Sequence, residues 1–542
     1  MNWEDLTGHQ RRAASASERR LLVFGRAGSG KTTVALWCAR HFLKTSDAKT
    51  WNRVLFLTFS RTAVREISRR SGRALADVRD RVEVQTFHSF ANRLIRCFGR
   101  YAGLGRKPPA LQSDAEAKQL GRSEGHLCYD DLLPLALQVA RQPRIKKLLS
   151  ERWPLVICDE FHDTDDLQWE LLCELSHGGR LVLLADPNQM IYDSFLGHRG
   201  VGPKRVQQAL DVAELVVDLG TPSHRDPTNV IPAMAEAVRQ RLFDHDAVRA
   251  AIEHGRLRIH TAVPDDLLIN LLREEVSTAR HEGARSVGIF RHTNEGVANL
   301  SADLMGVGVD NVLVGLSEAH GEALTALELL CLYGLRRTDL DSVRRRLAIF
   351  LTASVRGKEP PPLAFAFLGP SRLPGRLAER FDAACEAIQA AGDEGLETLV
   401  RAAGEVWPGL GITAGRRAWR QAARSFGAIA HQAIAQSRGN EDEFVVELSR
   451  RVSEQRTDSL LDLDLGSGHL VQVMNFHQAK GREADVVILV YRDSDWFGKE
   501  DEPFNRSSRL LYVSLTRARR RDVIILPEAP HPLVAPFGQL LR

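Results

Sequence analysis

Gly25-Arg26-Ala27-Gly28-Ser29-Gly30-Lys31-Thr32 is the stretch on which the reading of this chain turns. It follows the apolar run Leu21–Phe24 and precedes the helix-compatible Thr33-Val34-Ala35-Leu36-Trp37. Strand, glycine-rich turn and helix start are the context of a phosphate-binding loop. Gly25, Gly28 and Gly30, with Ala27 and Ser29, let backbone N–H groups curl round phosphate oxygens. The helix N-terminus adds partial positive charge. The spacing assigns Lys31 to the β and γ phosphates and Thr32 to Mg²⁺.

Outward from this loop, the bulk numbers set bounds. A chain of 542 residues is too long for one hydrophobic core, and about three or four domains are expected. With 44% hydrophobic and 26% charged residues, the composition is that of a soluble globular protein. No run of about 18 apolar residues argues for a membrane span, and Met1-Asn2-Trp3-Glu4-Asp5 lacks a signal-peptide pattern. The seven cysteines, at 38, 97, 128, 158, 173, 331 and 385, form no C-x-x-C pair. That supports neither a zinc site nor an iron–sulfur cluster and predicts reduced thiols in the cytoplasm. The net charge of +4 permits nucleic-acid binding without arguing for it.

Short β-rich runs at Leu21–Phe24, Val54–Phe59, Val82–Thr86, Leu155–Asp159 and Leu181–Asp186 alternate with helical stretches. This rhythm predicts a parallel sheet covered by helices on both faces. The interval from roughly 90 to 150 has no strand run and is broken by Lys107-Pro108-Pro109, which predicts a small helical insertion. A second α/β region follows, with strands at Leu257–His260, Ser286–Phe290, Leu470–Asn475, Asp485–Tyr491 and Asp522–Leu526 and a helix over Arg506–Arg519. Residues 320–460 read as a helical interruption of that second sheet, with a loop at Glu359-Pro360-Pro361-Pro362. The acidic stretch Asp493–Glu502 reads as a solvated loop.

A phosphate loop needs a metal-holding acid and a water-activating base. Val156-Ile157-Cys158-Asp159-Glu160 supplies both at a strand end: Asp159 for Mg²⁺, Glu160 to orient and deprotonate the attacking water. The sequence from Asp159 to Gln168 resembles the DEFQDT signature of superfamily 1 helicases of the UvrD/Rep type. Further stretches resemble that family's motifs in the same order: Leu6–Gln10 the adenine-reading Q motif, Leu57–Ala63 motif Ia, and Gln85–Phe90 the TFHS segment. They continue with Ala185–Tyr192 for motif III, Val473–Glu483 for motif V and Leu510–Ala518 for motif VI.

The resemblance implies an α/β fold of two RecA-like parallel-sheet domains with a helical insertion in each. The expected division is 1–88 and 151–220 for domain 1A, 89–150 for insertion 1B, 221–318 and 466–542 for domain 2A, and 319–465 for insertion 2B. It implies ATP and Mg²⁺ as ligands, with Gln10 reading the adenine edge, Glu483 accepting from a ribose hydroxyl and Gln189 sensing the γ-phosphate. Arg225 stands at the motif IV arginine and Arg517 at the motif VI arginine. Both would reach from the second sheet to the γ-phosphate, where a planar, always-charged fork suits the task. Thr58, Phe59, His88, Tyr192, Phe195 and His477 are the expected DNA contacts, aromatic faces stacking on bases without reading sequence.

Some positions depart from the family pattern. His162 replaces the usual glutamine, Thr33 an arginine beside adenine, His224 a tyrosine on its other face, and Arg482 a leucine in motif V. In motif III the aromatic Phe195 comes one step late. The insertions read as reduced, and no nuclease module or long tail is expected after motif VI. In this the chain resembles compact helicase subunits of bacterial defence systems such as Gabija. Two activities fit. One is an ATP-driven 3′→5′ translocase and helicase on single-stranded DNA or 3′-tailed duplex. The other is a regulatory DNA-sensing ATPase subunit with little unwinding of its own, licensing a nuclease or a repair or defence effector. An RNA strand remains compatible with stacking platforms. Neither reading involves a membrane. A P-loop kinase would have no use for the late arginines.

Overall fold

The structure, a computed structural model, describes residues 3–44, 48–58, 64, 67, 75, 77–105, 109–122, 125–191, 201–220, 226, 228–314, 317–355, 359–369, 373–460, 470–495, 497 and 500–540. Two compact units emerge. The first comprises Met1–Gly103, Leu133–Val314 and Gly466–Arg542, the second Leu104–Leu132 and Gly315–Leu465.

The described strands are, in chain order, β1 (Arg20–Phe24), β2 (Val54–Thr58), β3 (Val82–Thr86), β4 (Ala110–Leu111), β5 (His126–Leu127), β6 (Leu155–Cys158), β7 (Arg180–Ala185) and β8 (Leu215–Asp218). They continue as β9 (Leu257–His260), β10 (Val287–Arg291), β11 (Asn311–Leu313), β12 (Val471–Asn475), β13 (Ala484–Val490) and β14 (Ala518–Ile525). The first unit holds two six-stranded sheets, ordered β3-β2-β6-β7-β1-β8 and β11-β12-β10-β13-β14-β9. Every pairing in both is parallel. The expected α/β class of two RecA-like parallel sheets is therefore observed.

Central strands such as β6 and β13 are buried along their whole length. Their largely apolar runs, interrupted in β13 by Asp485, follow from having both sheet faces covered. Sheet order then decides where the chemistry lies. β2, β6, β7 and β1 are consecutive neighbours, with Leu57 opposite Cys158 and Phe24 opposite Ala185. The loops leaving their carboxyl ends carry Thr58, Asp159, Asp186 and the glycine-rich turn. The crevice outside those ends is where open parallel sheets bind ligands.

Four expectations need correction. The strands β8 and β11 lack a strong apolar run; β8 is a mostly exposed edge, and β11 has three residues. The interval 90–150 is not wholly helical, since β4 and β5 pair in parallel. The helix expected over Arg506–Arg519 stops at Leu515, because the chain turns at Thr516 to bring Ala518 into register with Ala484. The acidic stretch after Tyr491 is anchored: Asp495 is buried against Arg291 at 2.6 Å, and Glu500 accepts from the Arg506 and Ser507 amides.

The second unit is mainly helical. Trp407 and Trp419 stack at 5.7 Å in its core, and each indole N–H donates to a backbone carbonyl, of Ala414 and Gly404 respectively. Gly334 and Gly392 let the helices Ser317–Gly334 and Gly375–Glu394 touch backbone to backbone; a Cβ on Gly392 would lie 2.4 Å from the Gly334 carbonyl oxygen. The segment Leu104–Leu132 joins through charge. Fully buried Glu322 accepts from Arg346 (2.6 Å) and Arg456 (2.9 Å), and Arg456 also binds Glu116 at 2.7 Å. Burial works to raise the Glu322 carboxyl, but the two guanidinium groups outweigh it and hold it at about 2.

Candidate nucleotide-binding and hydrolysis site

The loop after β1 has the conformation that its glycines permit. Gly28 and Gly30 lie at φ 80° and 90°, where an L side chain is strained. A Cβ on Gly25 would meet Ser29 Oγ at 2.2 Å. Lys31, the first residue of the helix Lys31–Lys44, donates to the carbonyls of Gly25 (2.6 Å) and Arg26 (3.3 Å) and lies 3.8 Å from Asp186 Oδ2. Ser29 Oγ is buried with no hydrogen-bond partner among the described residues. Such an orphaned hydroxyl inside a glycine-formed cradle fits a phosphate oxygen. Thr33 is half-buried in the helix's first turn.

Gln10 is buried and bound to this loop. Its amide nitrogen donates to the Ser29 carbonyl at 2.9 Å, and its oxygen accepts from Thr7 N in a capping box.

The acids follow β6. Thr32 Oγ1 donates to Asp159 Oδ2 at 3.4 Å, so hydroxyl and carboxylate stand together as a hard-oxygen pair that fits Mg²⁺. Burial, and then the Glu160 charge, raise the Asp159 carboxyl. Glu160 occupies the left-handed region at φ 52°, a strained backbone for a non-glycine residue and one that recurs at functional sites. Burial would raise its carboxyl too, but His162, Lys480, Lys31 and Arg517 outweigh burial and hold it below the usual range.

His162, the departure from the family glutamine, is fully buried. Its Nδ1 accepts from Asp186 N at 3.2 Å, and its Nε2 lies 3.3 Å from Glu160 Oε2. Burial and Lys480 hold the imidazole well below its ordinary value.

Lys480, from the loop after β12, reaches the first sheet. Its ammonium lies 2.5 Å from Asp163 Oδ2, 2.5 Å from the Gln189 carbonyl oxygen and 3.0 Å from His162 Nε2. Glu160, His162 and Asp163 cluster closely enough to hold a metal, but the ammonium already supplies positive charge there. Lys480→Met should therefore cost about 3–5 kcal/mol, because it leaves a buried carboxylate uncompensated. Earlier thermal melting of the variant is the expected result.

A connected path crosses between the sheets. Gln189 Nε2 donates to Asp186 Oδ2 at 2.6 Å, and Arg517 Nη2 donates to Gln189 Oε1 at 3.2 Å. Tyr512, in the helix that precedes Arg517, accepts from Ala27 N at 3.4 Å. Lys31, Thr32, Asp159, Glu160, Gln189 and Arg517 are thus brought together. A cavity of about 240 Å³ opens beside the loop, lined by Arg26, Ser29, Glu236, Gln240 and Tyr512 among others.

Glu483 is gripped by Arg519, with its Oε2 at 2.9 and 3.1 Å from the guanidinium. Thr58, His88 and His477 come off the carboxyl ends of β2, β3 and β12. The Thr58 hydroxyl is buried and unpaired among the described residues. Burial, then His292 and Lys480, lower His477 to about 4. Phe59, Tyr192, Phe195, His224 and Arg225 lie outside the described residues.

Three participants were not assigned roles from sequence. Asp186 and Lys480 lie inside quoted motifs, and their burial is the signal that motif spacing does not carry. Glu236 lies in no motif.

Comparison with known proteins agrees with the geometry. A family model described as "AAA domain" matches residues 10–194, and one described as "UvrD-like helicase C-terminal domain" matches residues 470–525. The chain is 44% identical over 84 residues to RecBCD enzyme subunit RecB of Mycolicibacterium smegmatis, covering 14% of this chain and 8% of that protein. It is 20% identical over 379 residues to ATP-dependent DNA helicase PcrA of Leuconostoc citreum, covering 57% and 50%. To DNA helicase II of Escherichia coli it is 22% identical over 267 residues, covering 38% and 36%. The matched segments span half or less of each relative's own length. The ordered motifs, the paired parallel sheets and these matches support a UvrD/Rep-type superfamily 1 helicase.

Proposed function

We propose that the chain is an ATP-driven motor that moves 3′→5′ on single-stranded DNA and separates 3′-tailed duplex. The observation that carries this reading is the unbroken path Lys31–Asp186–Gln189–Arg517. It ties the phosphate loop on one sheet to an arginine on the other, so occupancy of the loop is felt by both. In this reading Lys31 grips the polyphosphate, Gln10 and Thr33 face the base, and Glu160 takes the proton from the attacking water. Arg517 and Arg225 neutralise charge that develops on the γ-phosphate. Thr32 and Asp159 are the Mg²⁺ holders, and the ion, when bound, neutralises polyphosphate charge. Glu483 meets the ribose once Arg519 releases it. Thr58, Phe59, His88, Tyr192, Phe195 and His477 line the strand's track. Opening and closing of the two sheets with each ATP would convert turnover into a step.

A protein partner, a nuclease or a repair or defence effector, is part of the proposal. The similarity to RecB, named as a subunit of the RecBCD enzyme, supports it. We further propose a cytoplasmic setting, supported by seven unpaired cysteines. Among the described residues no helix is long and apolar enough to cross a membrane.

The test is ATP turnover with and without single-stranded DNA and RNA, run beside strand displacement on 3′- and 5′-tailed duplexes. Strong stimulation by DNA with displacement of the 3′-tailed substrate is expected. DNA-stimulated turnover without displacement would replace the motor by a regulatory ATPase subunit.

A further inference from the structure

The phosphate loop carries a second cation, Arg26, that the nucleotide reading above does not use. Its side chain is 47% exposed, and its ion-pair partner among the described residues is Glu236, at 3.9 Å. That separation is too long for a hydrogen bond. Glu236 comes from the helix Val230–Arg239, which packs against the second sheet's core, so the pair spans the nucleotide crevice.

The two partners are unequally committed. The carboxylate of Glu236 accepts from Arg239 at 2.6 and 3.1 Å, from Gln240 at 2.6 Å and from Asn188 at 3.3 Å. Its acceptors are filled without Arg26. Burial works to raise Glu236, and its hydrogen bonds with Arg239 and Gln240 bring it below the ordinary range, so it stands in the cavity as a fixed anion. Among the described residues the Arg26 guanidinium keeps its planar fork of donors uncommitted, on the wall that also carries the orphaned Ser29 hydroxyl. A fork of that kind matches phosphate oxygens, and a polyphosphate is a stronger acceptor than a carboxylate already satisfied by three donors.

We propose that Arg26 is a polyphosphate-binding residue of this loop and that Glu236 is the acid that draws it across the crevice when no nucleotide is bound. The proposal rests on the nucleotide reading above. Entry of a nucleoside di- or triphosphate transfers Arg26 from Glu236 to phosphate oxygens, so Glu236 competes with the nucleotide for this side chain. Glu236 therefore weakens nucleotide binding, and Arg26 strengthens it.

Binding of fluorescently labelled ATP, ADP and AMP to the full chain tests this. Arg26→Ala should weaken ATP and ADP by about tenfold, the effect of losing one charge-assisted contact, and AMP less. Arg26→Lys should restore part of the loss. Glu236→Gln should tighten ADP several-fold, and that gain should vanish in the Arg26→Ala background. Unchanged ATP and ADP affinity in Arg26→Ala, with Lys31→Ala losing both, would overturn the proposal and leave the nucleotide site standing. An undiminished gain from Glu236→Gln when Arg26 is absent would overturn the role of Glu236. Wild-type chain that binds neither ATP nor ADP would overturn the nucleotide reading itself. Arg26 is half in water, so its variants fold whatever the fate of Glu236→Gln.

Discussion

Arg517→Ala is expected to lower ATP turnover by about three orders of magnitude or more, the range seen when a charge-stabilising arginine is removed from phosphoryl transfer. Arg517 is nearly fully buried. Its Nε donates to the Val513 carbonyl at 2.8 Å and its Nη2 to Thr516 Oγ1 at 3.0 Å, so the fork is held before any phosphate arrives. The same Nη2 touches Gln189 Oε1, which makes this side chain the far end of the path from the loop. Alanine would cut that path and remove the charge together. Arg517→Lys should not rescue, because a point charge reproduces neither the Thr516 nor the Gln189 geometry. Single-turnover hydrolysis with nucleotide binding measured alongside separates the two effects. Turnover that survives the substitution would remove Arg517 from the site.

Glu160→Gln should lower turnover by about two to four orders of magnitude, the usual worth of a positioned general base, while nucleotide still binds. The amide keeps the shape and the left-handed backbone at φ 52° but cannot take a proton. Four neighbours, His162, Lys480, Lys31 and Arg517, favour the ionised form that a base requires. Removing the Glu160 charge also removes one of the two causes that raise Asp159, so Mg²⁺-dependent binding should hold or tighten. Normal hydrolysis by the variant would move the base elsewhere.

The reading from sequence and the folded chain agree where a signal is both local and strong. β6 is an unbroken apolar run and β13 is apolar but for Asp485, as burial on two faces requires. The glycine-rich turn declares itself because few sequences tolerate two positive φ values so close together. β8 was invisible for the opposite reason: an edge strand of four residues with two exposed positions carries no periodicity to detect. The start of β14 was hidden by Arg519, Arg520 and Arg521. Those positions read as a helical surface, yet Arg519 and Arg521 pair with Glu483 and Glu282 beside the sheet. Within the site, motif spacing located Lys31, Asp159, Glu160 and Arg517 but not the engagement of Lys480 with Asp163. The Lys480–His162 contact in the same cluster joins residues 318 positions apart. Nothing in a linear pattern records which acid a distant lysine will meet. Glu483 illustrates the converse, a motif residue whose neighbour Arg519 holds it in another pairing.

The charge cluster around Glu322 has a consequence for how the chain is made. Glu116 meets Arg346 and Arg456, which lie 230 and 340 residues farther along. At the ribosome's pace the second of these arrives roughly half a minute after Glu116 has emerged. Until then residues 104–132 have no complete partner, and a nascent protein truncated before Arg456 cannot finish that unit. Its assembly is a late event of translation.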